Sequence, residues 1–310
     1  MIELDVTIPS RDIVISGTLC LPAATGKFPT ALFLQGSGPI DRNDNFVGQT
    51  LNNSKAIAHH LAMNDIATLR FDKRGIGQST GDFISAGHTD FVDDALNSLA
   101  FLSRSEHCDS TKLFAIGHSE GAIIAPQVAQ AFNRVAGVVL LCPTIEDPEA
   151  LLLRQAAAIK EMTRQQSWFT HPLAKSLSAF SNPVRSQRKL IEKVKRSHHK
   201  IGKVGFSRQP FHWLRQFLAL DLENVFSRTS CPVLAVSGAK DFQCLPGDAA
   251  RIGEIIGGEY ECHVLDDMTH LLRVDSGDGS VYSTPELLKQ PIDPRVLTIV
   301  TRWIIEHARG

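Results

Sequence analysis

The chain has 310 residues, 43% of them hydrophobic and 21% charged, with a formal net charge of -1. That length buries a sizeable core, as one large domain or a domain carrying an insertion, and the balance excludes a disordered chain or a chain-wide polyanion-binding surface. The opening Met1-Ile2-Glu3-Leu4-Asp5 has neither the basic nor the apolar stretch of a secretion signal, and no apolar run approaches the ~20 residues that span a bilayer. The expectation is a soluble, cytoplasmic protein with no integral membrane segment. The six cysteines lack C-x-x-C spacing and read as reduced thiols, with Cys244 expected to be the most exposed.

In chain order, Glu3 to Ile8 and Ile13 to Leu21 alternate apolar and polar residues around a Pro-Ser-Arg-Asp turn, which predicts an antiparallel hairpin. Short, near-continuous apolar runs follow at Thr30 to Leu34, Ala67 to Phe71, Lys112 to Ile116, Gly137 to Leu141, Val233 to Ser237 and Tyr260 to Leu265. Helical patterns separate them at Ser54 to Met63, Asp90 to Leu102, Ala122 to Phe132 and Gly247 to Ile255, and Pro294 to Glu306 closes the series. Apolar strands alternating with helices predict a mostly parallel sheet covered on both faces, an α/β architecture.

Between about Glu146 and Arg228 the alternation stops. No strand is evident there, and helical pieces around Glu149 to Thr163, Val184 to His198 and Phe211 to Leu222 are interrupted by Pro172, Pro183 and Pro210. The predicted organisation is a core of residues 1–145 and 229–310 with a helical cap inserted at 146–228. From Pro148 to Arg228 there are fifteen Lys and Arg against five Asp and Glu, so the cap is cationic and the remainder acidic.

Gly117-His118-Ser119-Glu120-Gly121 stands between the apolar run Leu113 to Ile116 and the helical pattern from Ala122. A serine between glycines at a strand-to-helix turn is a nucleophile elbow, whose strained backbone lifts the hydroxyl clear of the sheet. A serine hydroxyl is a poor nucleophile at neutral pH and needs a histidine to take its proton and an acid to hold that histidine's tautomer. Asp241 lies three residues beyond the strand Pro232 to Gly238, and His270 follows the strand ending at Leu265. Loops leaving the C-terminal edge of a parallel sheet open on the same side as the elbow, and the order Ser119, Asp241, His270 is that of α/β hydrolases. A lone aspartate after a strand is more often a turn or cap residue, and it is this order that favours Asp241; Asp266 and Asp267 read as turn residues. His118 is too constrained to serve as its neighbour's base. His59-His60 and His198-His199 lack the i, i+4 spacing of two ligands on one helix face, so no metal site is predicted, and hydrolysis by a serine, a histidine and an acid is expected to need no cofactor.

Acyl transfer also needs donors for the oxyanion. One is the backbone N–H of Glu120, and the second is expected from Gln35-Gly36-Ser37-Gly38-Pro39, placed at Ser37 with Gly36 as the alternative. Gly36 and Gly38 let the backbone of that loop approach a substrate. The Glu120 carboxylate is read as a surface or cap-contacting group.

Four segments together carry a resemblance: Gly36-Ser37-Gly38-Pro39-Ile40-Asp41-Arg42, Phe71-Asp72-Lys73-Arg74-Gly75-Ile76-Gly77-Gln78-Ser79, the elbow, and Thr269-His270-Leu271-Leu272. The chain resembles the capped serine esterases of the α/β-hydrolase superfamily, closest to the EstD-type carboxylesterases, some of them described as serine aminopeptidase-like. The resemblance spans most of the core and covers the cap poorly. It implies the triad Ser119, Asp241 and His270, a structural turn at Asp72 to Ser79, and Gln35 where many relatives carry His. The expected activity is ester hydrolysis through an acyl-enzyme on Ser119. Acyl-CoA thioesterase and aminopeptidase activities use the same triad, and a ligand-binding protein without turnover would share the fold. The expected partner is a small acyl ester or thioester; the cationic cap lacks the aromatic interleaving of a nucleic-acid site, and a homodimer is left open.

Overall fold

The computed structural model describes residues 1–46, 48–170, 182–277 and 284–309. The chain runs β1 (Ile2–Ser10), β2 (Ile13–Leu21), β3 (Phe28–Leu34), α1 (Asn53–Ala62), β4 (Ala67–Phe71), α2 (His88–Leu102), β5 (Cys108–His118), α3 (Glu120–Ala131) and β6 (Val135–Leu141). It continues α4 (Pro148–Thr170), α5 (Pro183–Arg196), β7 (Gly202–Val204), β8 (Ser207–Gln209), α6 (Phe211–Phe217), α7 (Leu222–Ser227), β9 (Val233–Gly238), α8 (Asp248–Ile255), β10 (Tyr260–Leu265), α9 (Thr284–Leu287) and α10 (Pro294–Ala308).

Eight strands form one sheet in the order β1-β2-β4-β3-β5-β6-β9-β10. The predicted hairpin is there: β1 pairs antiparallel with β2, and β2 antiparallel with β4, while every later pairing is parallel. Side chains alternate faces along a strand, which sorts β3 cleanly. Leu32 and Leu34 join the α2 and α3 side with Phe91, Ala95, Leu99 and Val128, whereas Ala31 and Phe33 join the α1 and α10 side with Ile57, Leu61, Val300 and Trp303. Both faces are therefore buried, and the central strands are apolar on both.

After β3 the chain crosses to β4 on one side and then to β5 on the other. The strand order reverses between β3 and β5, so the loops that follow them diverge and leave a crevice at the C-terminal edge.

Among the described residues, the stretch between β6 and β9 adds no strand to this sheet. Contrary to the sequence expectation it does hold two short strands, β7 and β8, paired antiparallel around Gly205, whose φ of 58° suits the turn. Three residues per strand are too few to show a period. The helix expected from Phe211 to Leu222 is two helices, broken before Asp221, whose carboxylate caps α7 by accepting from the Asn224 amide at 3.0 Å. Val194, Phe211 and Leu214 form a separate apolar cluster, while Leu222 and Phe226 pack into the main core. Pro172 lies outside the described residues. Among the described residues no helix is long and apolar enough to cross a membrane.

Candidate active site

Ser119 sits at the tip between β5 and α3 with φ 55° and ψ -115°, an unusual conformation for a residue with a side chain. Its own amide donates to the Leu141 carbonyl at 2.9 Å and its carbonyl accepts from Ala122 at 2.9 Å, so the turn is bonded on both sides. The flanking glycines are needed for space: a Cβ on Gly117 would run into the Gly121 backbone, and one on Gly121 into the Leu34 carbonyl. β3, β5 and α3 therefore touch backbone to backbone directly beneath the serine.

Asp241 and His270 meet. His270 Nδ1 lies 2.7 Å from Asp241 Oδ2, and Asp241 Oδ1 accepts from the amides of Gln243 at 2.8 Å and Cys244 at 2.9 Å. Burial works to raise the Asp241 pKa, but the His270 ring and those two amides outweigh it and hold the carboxyl below the usual aspartate range. In a neutral His270 ring, a carboxylate bonded this way favours the tautomer with the hydrogen on Nδ1 and the lone pair on Nε2. Gly238 brings the two loops together, since a Cβ there would strike the Met268 carbonyl, and Lys240 donates its amide to that same carbonyl at 3.0 Å. The His270 ring lies against the ring of His118, the residue before Ser119, with centroids 5.0 Å apart. Asp267, as expected of a turn residue, faces outward and pairs with Arg295.

Ser37, Ser119 and Glu120 line one recess of about 70 Å³ together with Thr144, Leu152 and Gln155. Gly36 is close against the nucleophile candidate, a Cβ built on it falling 3.4 Å from that of Ser119. Gly38, with φ 106°, turns the loop into the wall of a second cavity of about 400 Å³, lined also by Pro39, Phe83, Phe91, Trp213 and Arg208. Gln35 is buried and donates to the carbonyl of Phe71, tying this loop to the end of β4.

Sequence reasoning missed a buried ionic cluster. The Glu120 carboxylate is not on the surface: Lys73 Nζ is 3.0 Å from its Oε2 and donates at 2.6 Å to the Gly36 carbonyl, while Trp213 of α6 donates its indole N–H to Oε1. Burial would raise the Glu120 pKa, but Lys73 first, then His88 and Trp213, bring it down to about 2. Lys73 thus joins the backbone before Ser37 to the side chain of Glu120. The one available signal was a lysine two residues beyond β4, at the same sheet edge as the elbow. The Asp72 to Ser79 segment is a turn, as the resemblance implied, with Asp72 accepting from the amides of Arg42 at 2.7 Å and Gln78 at 3.0 Å.

Cys244 is buried and Cys262 is the exposed thiol, which reverses the expectation for Cys244. Its amide is committed to Asp241, which pulls the residue inward. Among the described residues, ligand-type atoms of His118, Cys142 and His270, and of Asp241, Cys244 and His270, lie within 4.8 Å of one another. A cation in the second group would have to displace the Asp241–His270 bond.

A mostly parallel sheet with an elbow serine and an acid–histidine pair at its C-terminal edge defines an α/β hydrolase. The family model described as serine aminopeptidase, S33, matches residues 47–277, and the chain belongs to that family of hydrolases. It is 26% identical over 308 residues to Esterase EstD of Thermotoga maritima, covering 98% of this chain and 68% of the relative. Among solved structures it is similar to Est1E from Butyrivibrio proteoclasticus bound to ferulic acid, with TM-score 0.64, 16% identity, and 98% and 100% of the two chains covered. It is likewise similar to the α/β hydrolase GrgF from Penicillium sp. sh18, with TM-score 0.66, 15% identity and 100% of each chain covered.

Proposed function

We propose that the chain is a serine carboxylesterase that works without a cofactor. Ser119 attacks the ester carbonyl as His270 Nε2 takes the hydroxyl proton, and Asp241 orients the ring and stabilises the imidazolium. The oxyanion is received by the backbone amides of Ser37 and Glu120. Collapse expels the alcohol, which takes the proton from His270; water, deprotonated by the same nitrogen, then attacks the acyl-enzyme and releases the acid.

The observation that carries this reading is the 2.7 Å bond from His270 Nδ1 to Asp241, made at the sheet edge where the strained Ser119 stands. We read residues 146–228 as a cap over a core of 1–145 and 229–310, on the support of the Trp213–Glu120 bond and of Arg154 donating to the carbonyls of Phe242 and Gln243 at 2.9 Å each. The test is Ser119→Ala assayed with p-nitrophenyl butyrate. Turnover is expected to fall by about 10⁴-fold or more while the far-UV spectrum is unchanged, and retained turnover refutes the assignment.

The charge of the cap favours a second reading, an acyl-CoA thioesterase using the same residues. Fifteen cations against five acids between Pro148 and Arg228 would draw an anionic substrate toward the cleft. In that case kcat/KM for a CoA thioester falls with ionic strength more steeply than for a neutral ester. Parallel salt dependences favour the plain ester. An aminoacyl amide in the same panel tests peptidase activity.

A further inference from the structure

Behind Ser119 lies a buried pair that the proposed chemistry leaves unused. His118 ends β5 and Asp44 lies in the loop after β3, at 5% and 2% exposure. His118 Nδ1 is 3.8 Å from Asp44 Oδ2, and neither atom has a hydrogen-bond partner among the described residues although both are buried. The other ring nitrogen, Nε2, is 2.9 Å from the backbone carbonyl of His270. A carbonyl only accepts, so Nε2 carries a hydrogen.

Burial, reinforced by the neighbouring His270 ring, holds His118 down to about 3, so above that pH the ring carries a single proton, and while it sits on Nε2 the Nδ1 is a bare lone pair. Against an ionised carboxylate that lone pair would meet another, which is repulsive; against a carboxylic acid it is an acceptor. Burial pushes the Asp44 carboxyl up to about 6, against the pull of Asn53, Lys73 and Arg273. A side-chain rotation that shortens the gap by ~1 Å makes an ordinary O–H···N bond.

We propose that Asp44 and His118 are positioning residues for His270: the protonated Asp44 carboxyl donates to His118 Nδ1 and so fixes the tautomer whose Nε2–H holds the His270 carbonyl. This rests on the reading of His270 as general base. When Asp44 loses its proton to solvent, the ring hydrogen belongs on Nδ1, facing the carboxylate, and the His270 carbonyl loses its donor. The charged and titratable groups facing the pair are Asp41 in the same loop, Lys73 after β4, Asp241 after β9, His270 and Arg273 after β10, and the Cys142 thiol after β6, which burial keeps protonated.

The test is ¹⁵N-histidine NMR of the whole protein, with the His118 ring assigned by its absence in His118→Gln, from about pH 5 to about pH 8. The expected result is an Nε2–H tautomer that converts to Nδ1–H with a midpoint near 6. In Asp44→Asn the amide donates to Nδ1 at every pH, so the ring stays Nε2–H. Ester turnover is the second readout. Asp44→Asn is expected to match the native kcat at low pH and to lose the fall in kcat that Asp44 ionisation causes as pH rises through about 6, whereas Asp44→Ala lowers kcat by about tenfold with little change in KM. A His118 tautomer that ignores pH in the native chain, or Asn and Ala variants equally impaired with unaltered pH profiles, overturns the proposal. If Ser119→Ala keeps its turnover, the triad reading fails instead, and the NMR titration still decides the Asp44–His118 pair.

Discussion

Lys73→Met exposes how much of the site depends on one buried cation. The Lys73 and Glu120 side chains are 4% and 3% exposed, and the Glu120 carboxyl is held at about 2 against an ordinary value of 4.5. That gap of roughly 2.5 units, at about 1.4 kcal/mol per unit, corresponds to about 3 kcal/mol, in line with the 3–5 kcal/mol lost when one partner of a buried pair is removed. A depressed carboxyl stabilises the fold above its unfolded pKa, and that contribution disappears as pH falls through its folded value. Without Lys73, burial is left largely unopposed, the Glu120 carboxyl titrates higher, and the destabilisation is greatest near pH 8 and shrinks toward pH 5. Urea titrations at the two pH values, extrapolated linearly, measure it. Lys73→Met/Glu120→Gln leaves no charge stranded and is expected to regain at least half of the loss. A loss below about 1 kcal/mol, equal at both pH values, refutes the reasoning.

Asp241→Asn offers His270 Nδ1 an amide in place of a carboxylate, and kcat for an ester is expected to drop by about 10⁴-fold with KM little changed. Steady-state kinetics check this, and a loss under tenfold argues that Asp241 does not orient the base. Gly121→Ala forces a methyl into the Leu34 carbonyl and is expected to cost about 3 kcal/mol or more in urea unfolding. Trp303→Ala empties the pocket against Phe114 and Gly137 and is expected to cost about 3–5 kcal/mol by the same measurement. Asp44→Asn removes a carboxyl whose pKa is raised to about 6. Stability from such a group is present below its unfolded pKa and lost as pH rises through 6, so the variant gains over the native chain at pH 8 and not at pH 4.

The parts of the candidate site legible in the sequence were those that follow from strand endings. Ser119, Asp241 and His270 each sit just beyond an apolar run, and a parallel sheet sends all such loops to one edge. The flat reading of 146–228 came from its lack of period: β7 and β8 are too short to alternate, and α6 and α7 are separated only by a brief capped break. The Glu120 cluster was illegible because Lys73 and Trp213 are distant in sequence and contact the elbow only through the packing of β4 and α6. Cys244 was misplaced because the polar residues beside it resemble an exposed loop, whereas its amide is drawn inward to Asp241. The Asp44–His118 approach likewise joins two segments with nothing local to announce it.

The most direct measurement is peptide mapping of the native protein after reaction with a fluorophosphonate, together with the labelling rate in His270→Ala. A single adduct on the peptide bearing Ser119, formed at least about 10³-fold more slowly in the variant, is the expected result. An adduct on another residue, or a rate indifferent to His270, contradicts the assignment of Ser119 as a nucleophile activated by that imidazole.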